Sequence, residues 1–397
     1  MIKKLLSFVL VVAMIFSLTA CGSKEASNGS NSTDAGKDAA ATDSSSKDST
    51  AKGLFSPIAK EDIKVGVIHI GDPADGAGYT FAHDQGIKEM QKNLGLSDDQ
   101  IIRKNNVSDT DAVAIRTAIE ECIEEGANII FGTSWGYMDT MEQMATEYPD
   151  VIFSHASGYK SNGKNFNNYF GRIYQARYLS GIAAGMKTKS NKIGFVAAMG
   201  IDNSEVTGGL NAFAMGVESV NPNAKVYVKV TNSWFDPTLE QQAADALLDM
   251  GCDVIGQHAD TTAPQMEAQS RGVWGVGYNS DMTKDAPKAH LTAPVWNWGV
   301  YYTQAVKSVI DGTWTGENYY GGLAEGMVDI SPLSDNCAPG TKEAIDKARQ
   351  KILDGFNVFE GELYDNKGNK VCEAGKKLSD ADITGKMNWY YTNVVVE

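Results

Sequence analysis

The sequence predicts an α/β fold in two lobes, each a parallel sheet flanked by helices, with segments that cross between them. Three observations predict it. First, the β-branched run Ile63-Lys64-Val65-Gly66-Val67-Ile68-His69-Ile70 passes through a Gly, Asp and Pro loop, residues 71–78, into a stretch with apolar residues at helical spacing. Strand, glycine-rich loop, helix is how an open α/β sheet starts. Second, the construction Gly126-Ala127-Asn128-Ile129-Ile130 returns as Gly251-Cys252-Asp253-Val254-Ile255, each time ending a helix and opening a strand. Only two copies show, which fits two lobes and not a solenoid. Third, the segments after Leu291 read as a return to the first lobe, and several crossings make a hinge.

In chain order, the strand from Ile63 leads to a helix with Tyr79, Ala82, Gly86, Ile87 and Met90 on one side. Ile101 to Asn106 is a weaker strand. Ile115, Ala118, Ile119, Cys122 and Ile123 then fall at i, i+3, i+4, i+7 and i+8, a helix that stops at Gly126. Asn128 to Phe131 and Val151 to Ser154 are strands, separated by the loop Gly132-Thr133-Ser134-Trp135-Gly136-Tyr137 and a helix. The second lobe opens with the helix Gln175 to Lys187 and the strand Lys192 to Ala197. Lys225 to Val230 is its next strand, followed by Thr231-Asn232-Ser233-Trp234-Phe235-Asp236-Pro237. Leu239, Ala243, Ala246, Leu247 and Met250 line a helix face that ends at Gly251. The domain layout expected is lobe 1 over 61–172 plus 291–322 and lobe 2 over 173–290 plus 323–397.

The N-terminus speaks of export. Lys3 and Lys4 precede an apolar run from Leu5 to Ala20, too short to span a membrane and shaped like a secretory signal over 1–20. Leu18-Thr19-Ala20-Cys21-Gly22 resembles the lipobox of bacterial lipoproteins, which implies cleavage before Cys21 and diacylglycerol on its sulfur. Residues 21–60 then form a tether, because Ser, Asn, Asp, Ala, Lys and Gly bury too little apolar surface to fold. The chain's 397 residues leave enough for two lobes of ordinary size. A formal net charge of −15 argues against nucleic acid and acidic lipid as partners. Of five cysteines, none forms a CxxC pair, so no metal site is expected. Cys122 and Cys252 read as core thiols. Cys337 and Cys372 are the pair that export leaves free to bond, and spacing does not decide it.

Several features now coincide: the first strand with Asp75, Tyr79 and Gly86, then Gly132-Thr133-Ser134, Ser233-Trp234-x-Asp236-Pro237, Gly277-Tyr278-Asn279-Ser280-Asp281 and Leu291-Thr292. From about Ile63 onward the chain resembles the basic membrane protein family, lipid-anchored substrate-binding proteins of ABC transporters with the type I periplasmic-binding-protein fold. The resemblance implies a monomer that binds a purine base or nucleoside between its lobes and hands it to an ABC permease driven by a separate ATPase. It uses no cofactor. The family's two base-stacking aromatics fall on Tyr79 and Trp234, and the polar residue after the first falls on Thr80. The family's late Asp falls on Asp281, with Asn279 replacing an earlier Asp. Where the nucleoside branch carries a ribose-holding Lys, this chain has Trp296, which points to a free base.

The expected ligand-binding set is Asp75, Tyr79, Thr80, Ser134, Trp135, Trp234, Asp260, Asn279, Asp281 and Trp296. Two rings on opposite lobes stack on a flat ligand only when the cleft is shut, and each stack contributes about 1–3 kcal/mol. The carboxylates of Asp260 and Asp281 accept hydrogen bonds from ring N–H and amino groups. Plainer readings stand beside these. Asp75 fits a turn residue, Asp281 before Met282-Thr283 fits a helix cap, and Trp135 and Trp296 fit packing. His258 in Gln257-His258-Ala259-Asp260 supplies too few ligands for a metal. Gly158 to Asn165 nearly matches a phosphate loop, but extended sequence follows it where a helix is required. No Ser-His-Asp order, GxSxG or HExxH is present. Two other functions fit the pattern less well: a surface nucleosidase with Asp72, Asp75 and Asp260 activating water, and a receptor for a sugar or another small polar ligand. A repressor of similar fold is excluded by the signal and the missing basic head.

Overall fold

The structure is a computed structural model that describes residues 53–396. The signal peptide, Cys21 and most of the tether lie outside the described residues. In order come β1 (Val65–Ile68), α1 (Gly78–Leu94), β2 (Ile101–Lys104), α2 (Ala112–Glu124), β3 (Ile129–Gly132), α3 (Met138–Glu147), β4 (Ile152–Ala156) and β5 (Phe166–Gly171). The chain continues through α4 (Ile173–Lys187), β6 (Lys192–Ala197), α5 (Ser204–Val220), β7 (Lys225–Val230), α6 (Pro237–Asp249), β8 (Val254–His258), α7 (Ala263–Ser270) and β9 (Trp274–Val276). It then crosses back through β10 (His290–Thr292), β11 (Pro294–Trp296), α8 (Trp298–Ile310), β12 (Tyr319–Gly321) and β13 (Val328–Ile330). It ends with α9 (Thr341–Leu353), β14 (Leu363–Tyr364), β15 (Lys370–Cys372), α10 (Asp380–Gly385) and β16 (Val394–Val396).

Two six-stranded parallel sheets result, ordered β12-β5-β4-β3-β1-β2 and β10-β9-β8-β6-β7-β16. Their central strands are buried along their whole length, as β1, β3, β4 and β8 show, because helices cover both faces of a parallel sheet. In each sheet the order reverses at a strand pair, β1–β3 and β6–β8, and the loops beyond those strand ends face the ligand crevice of such folds. Two short antiparallel pairs, β11–β13 and β14–β15, complete the described strands.

Two expectations need correction. Residues 53–60 are not tether: Gly53 and Leu54 donate to the carbonyls of Gly312 and Trp314, and Phe55 and Ile58 pack on the core. Their large apolar side chains make docking favourable. The crossing after lobe 2 also comes later than 291. His290–Thr292 pairs in parallel with β9 of the second sheet, so Leu291 is an interior residue of that sheet. Cys337 and Cys372 are both free thiols, each set against a backbone carbonyl, of Leu291 and of Glu373. No helix among the described residues is long and apolar enough to cross a membrane.

Candidate functional site

A cavity of about 270 Å³ opens where the loops after the strands of both sheets meet. From the first sheet come Ile70, Tyr79, Asp109, Ser134, Trp135 and Ser157. From the second come Asn203, Glu205, Trp234, His258, Asp260 and Tyr278. Five residues expected from sequence are therefore brought together in the lining of one cavity: Tyr79, Ser134, Trp135, Trp234 and Asp260.

Each is positioned for a local reason. Tyr79 is the second residue of α1, and its ring meets His83 edge-on at 4.3 Å. His83 in turn stacks on Trp298 at 4.0 Å, so the first plate rests on a packed aromatic base. Trp234 lies in the loop before α6. Asp236 caps that helix by accepting from the amides of Thr238 and Leu239, and Pro237 follows at the first helical turn. The buried Glu240 carboxyl ties this loop to the next: it accepts from the Asp236 amide at 3.2 Å and from the Thr261 hydroxyl at 2.6 Å. The Asp260 amide donates to the Trp234 carbonyl at 3.0 Å. Ser134 donates its hydroxyl to Asp109 at 2.7 Å. Trp135 is 59% exposed, so its indole sits at the rim.

Asn279 is not on the cavity wall. It is buried in a left-handed conformation, φ 68°, and donates to Asp260 Oδ1 at 2.7 Å, so it holds the carboxylate that is. Asp281 lies off the cavity lining, and no helix follows it to cap. It is exposed and accepts from the Thr283 amide and hydroxyl, a local turn. Trp296 belongs to the aromatic packing: it is 5% exposed, stacked on Trp298 at 4.5 Å and tilted against Phe170. Thr80 lies in the first turn of α1, outside the lining, and Asp75 ends the short turn Pro73–Asp75.

Sequence reasoning missed the polar floor. Glu205 enters in the first turn of α5, and its carboxyl stands 3.6 Å from His258 Nε2. Behind them Arg177 of α4 is fully buried, its guanidinium 3.7 Å from the centre of the Tyr278 ring. Burial pushes the Glu205 carboxyl up to about 7 and Asp260 up to about 8. It pulls the Arg177 guanidinium down to about 10 and holds His258 neutral. The signal was Gly209: a Cβ there would lie 3.2 Å from His258 Nδ1 and 3.4 Å from Arg177 Nε.

The lobes touch beside the site. Gly78 has φ +84°, and a Cβ there would lie 2.1 Å from the carbonyl oxygen of Asp260. Gly78→Ala is expected to hold the jaws apart and weaken ligand binding by about tenfold or more, about 1.4 kcal/mol. Calorimetric Kd values for the two proteins check this, and equal values would remove the contact from closure. The cavity has rings for a flat ligand, acceptors for N–H groups and no cluster of His, Cys, Asp or Glu able to hold a metal among the described residues.

Comparison with known proteins places the chain in a family and a fold. Residues 63–362 match the family described as ABC transporter substrate-binding protein, PnrA-like. A purine-binding protein of Brucella abortus is 39% identical over 337 residues, covering 85% of this chain and 94% of the relative. A putative ABC transporter glucose-binding protein of Haloferax volcanii is 34% identical over 315 residues, covering 79% of this chain and 78% of the relative. An ABC transporter solute-binding protein of Conexibacter woesei superposes with a TM-score of 0.63 at 20% identity, over 75% of this chain and all of the other. One from Aeropyrum pernix gives 0.63 at 18%, over 74% and 92%. At such identity the solved structures speak for the fold alone, a periplasmic-binding-protein-like pair of α/β lobes. The family match spans most of the folded body, and the chain belongs to the PnrA-like family of ABC transporter substrate-binding proteins.

Proposed function

We propose that this substrate-binding protein captures a purine base, adenine- or hypoxanthine-like, or a purine nucleoside, between its lobes and delivers it to a membrane permease driven by a separate ATPase. It acts outside the cytoplasm, as a monomer held to the membrane by a lipid on Cys21, and catalyses nothing. The observation that carries this reading is the meeting of Tyr79 and Trp234, one from each lobe, in one cavity with Asp260. Two aromatic faces suit a planar heterocycle, and a carboxyl in the same cavity suits its N–H edge. The Brucella relative, named for purine binding, supports it. The Trp at 296, packed into the aromatic core, leaves no basic side chain there for a ribose, which favours a free base.

Thermal melting with adenine, hypoxanthine, guanine, adenosine, inosine, ribose and glucose tests the reading. A ligand at a hundredfold its Kd stabilises the fold by about 2.7 kcal/mol. A purine base is expected to raise the melting temperature and ribose to leave it unmoved. The Haloferax relative, named for glucose, favours a second reading, because rings also stack on pyranose faces. A shift with glucose and none with any purine would decide for it. Release of base from a nucleoside would instead reveal a hydrolase.

A further inference from the structure

Glu205 lines the cavity with His258 and Asp260, and its side chain is 25% exposed. Among the described residues no hydrogen bond reaches its carboxyl, which lies 3.6 Å from His258 Nε2. His258 is 1% exposed, and neither ring nitrogen has a hydrogen-bonding partner in the protein. Buried polar atoms left without partners on a cavity wall point to a ligand that supplies them. Asp260 differs, because Asn279 donates to one of its oxygens.

Charge balance constrains the pair. Arg177 is a buried cation with one hydrogen bond, from Nη1 to the Gln257 carbonyl, and its charge acts on both carboxyls. Net charge is costly in a buried site. With His258 neutral, one cation offsets one carboxylate, and the other carboxyl keeps its proton. Burial lifts both acids, and the charges of Glu240 and then Glu205 raise Asp260 further; Glu205 and Asp260 are the two of these that line the cavity and so titrate against a ligand.

We propose that Glu205 and Asp260 share a single proton and read the ligand as a pair, one accepting and one donating. The ionised member accepts from a ligand N–H; the protonated member donates to a ring nitrogen or carbonyl oxygen beside it. A neutral heterocycle with adjacent donors and acceptors, such as a free purine base, complements that pair. The inference rests on the purine reading above and adds a proton to it. The other groups facing the pair are Arg177 from α4, His258 from β8, Tyr278 after β9, Tyr79 from α1, Tyr320 from β12 and Glu240 from α6 behind Asp260.

The sign follows. Binding is at full strength while the pair holds its proton and weakens as rising pH removes it, by about tenfold per pH unit for one linked proton. Titration calorimetry of the purified full chain with adenine, between pH 6 and pH 9 and in buffers of different ionisation heat, reads both Kd and protons exchanged. The wild-type Kd is expected to be level up to neutrality and then to rise. Glu205→Gln and Asp260→Asn each fix one member as a permanent donor and are expected to give level profiles. Glu240→Gln is expected to keep the rise, which separates that acid from the pair. A level or opposite wild-type profile, or a rise that persists in either of the first two variants, overturns the proposal. Should no purine bind at any pH, the purine reading fails first and this one with it.

Discussion

Replacing Trp234 by alanine is expected to weaken purine binding by about 1–3 kcal/mol, roughly five- to 150-fold in Kd, the range for losing one base–aromatic stack. The indole lines the cavity from the second lobe, and the backbone that carries it is pinned from three sides. Asp236 caps α6, Glu240 accepts from the Asp236 amide, and the Asp260 amide donates to the Trp234 carbonyl. None of these bonds uses the indole, so truncation leaves the loop in place and removes the plate. Trp234→Phe is expected to restore most of the affinity, since it keeps a π face. Tyr79→Ala tests the opposite jaw and is expected to lose a similar factor. Calorimetry with adenine reads all three. An unchanged Kd in Trp234→Ala would take this ring out of the clamp and leave the cavity without its principal argument.

How much of this was legible in the sequence depends on range. The strands and helices were, because their apolar spacing is local, and so was the placement of Trp234 and Asp260, in loops after strands, and of Tyr79, at the start of the helix that follows the first strand. A loop after a parallel strand faces the crevice whatever the tertiary detail. Glu205 and Arg177 were not legible. In sequence, Glu205 is an acid in a helix's first turn and Arg177 a base in a helix's middle, both ordinary solvent positions. Arg177 is buried and Glu205 half-buried at the cavity because Gly209 lets α5 approach His258 and Arg177, a pairing between distant segments. Asp281 and Trp296 lie outside the cavity lining for a related reason. A carboxylate two residues before Thr283 closes a turn as readily as it meets a ligand, and an indole beside Trp298 finds a ring partner within its own chain. Phe55 and Ile58 were lost in a polar tether because two apolar residues carry little pattern until the surface they dock on is known.

Trp298→Ala is expected to cost about 3–5 kcal/mol of stability, the largest effect of any single truncation considered, and to lower the melting temperature by on the order of ten degrees. Trp298 opens α8 and is fully buried, stacked on Trp296 at 4.5 Å on one side and on His83 at 4.0 Å on the other. Its backbone approaches α1 so closely that a Cβ on Gly86 would lie 2.5 Å from its own Cβ, so the α1–α8 contact cannot tighten to fill a void. A site that cannot collapse sits at the costly end of the range. The loss reaches the cavity as well. His83, which carries the Tyr79 ring edge-on, donates or accepts at the Tyr302 hydroxyl at 2.6 Å and otherwise leans on the indole. Removing the indole frees His83 to tilt, and Tyr79 with it, so purine affinity should fall together with stability. Trp298→Phe separates the two effects: it keeps a stacking ring and should recover affinity more fully than melting temperature. A Trp298→Ala protein that melts within a degree of wild type would show that α8 does not support the first jaw.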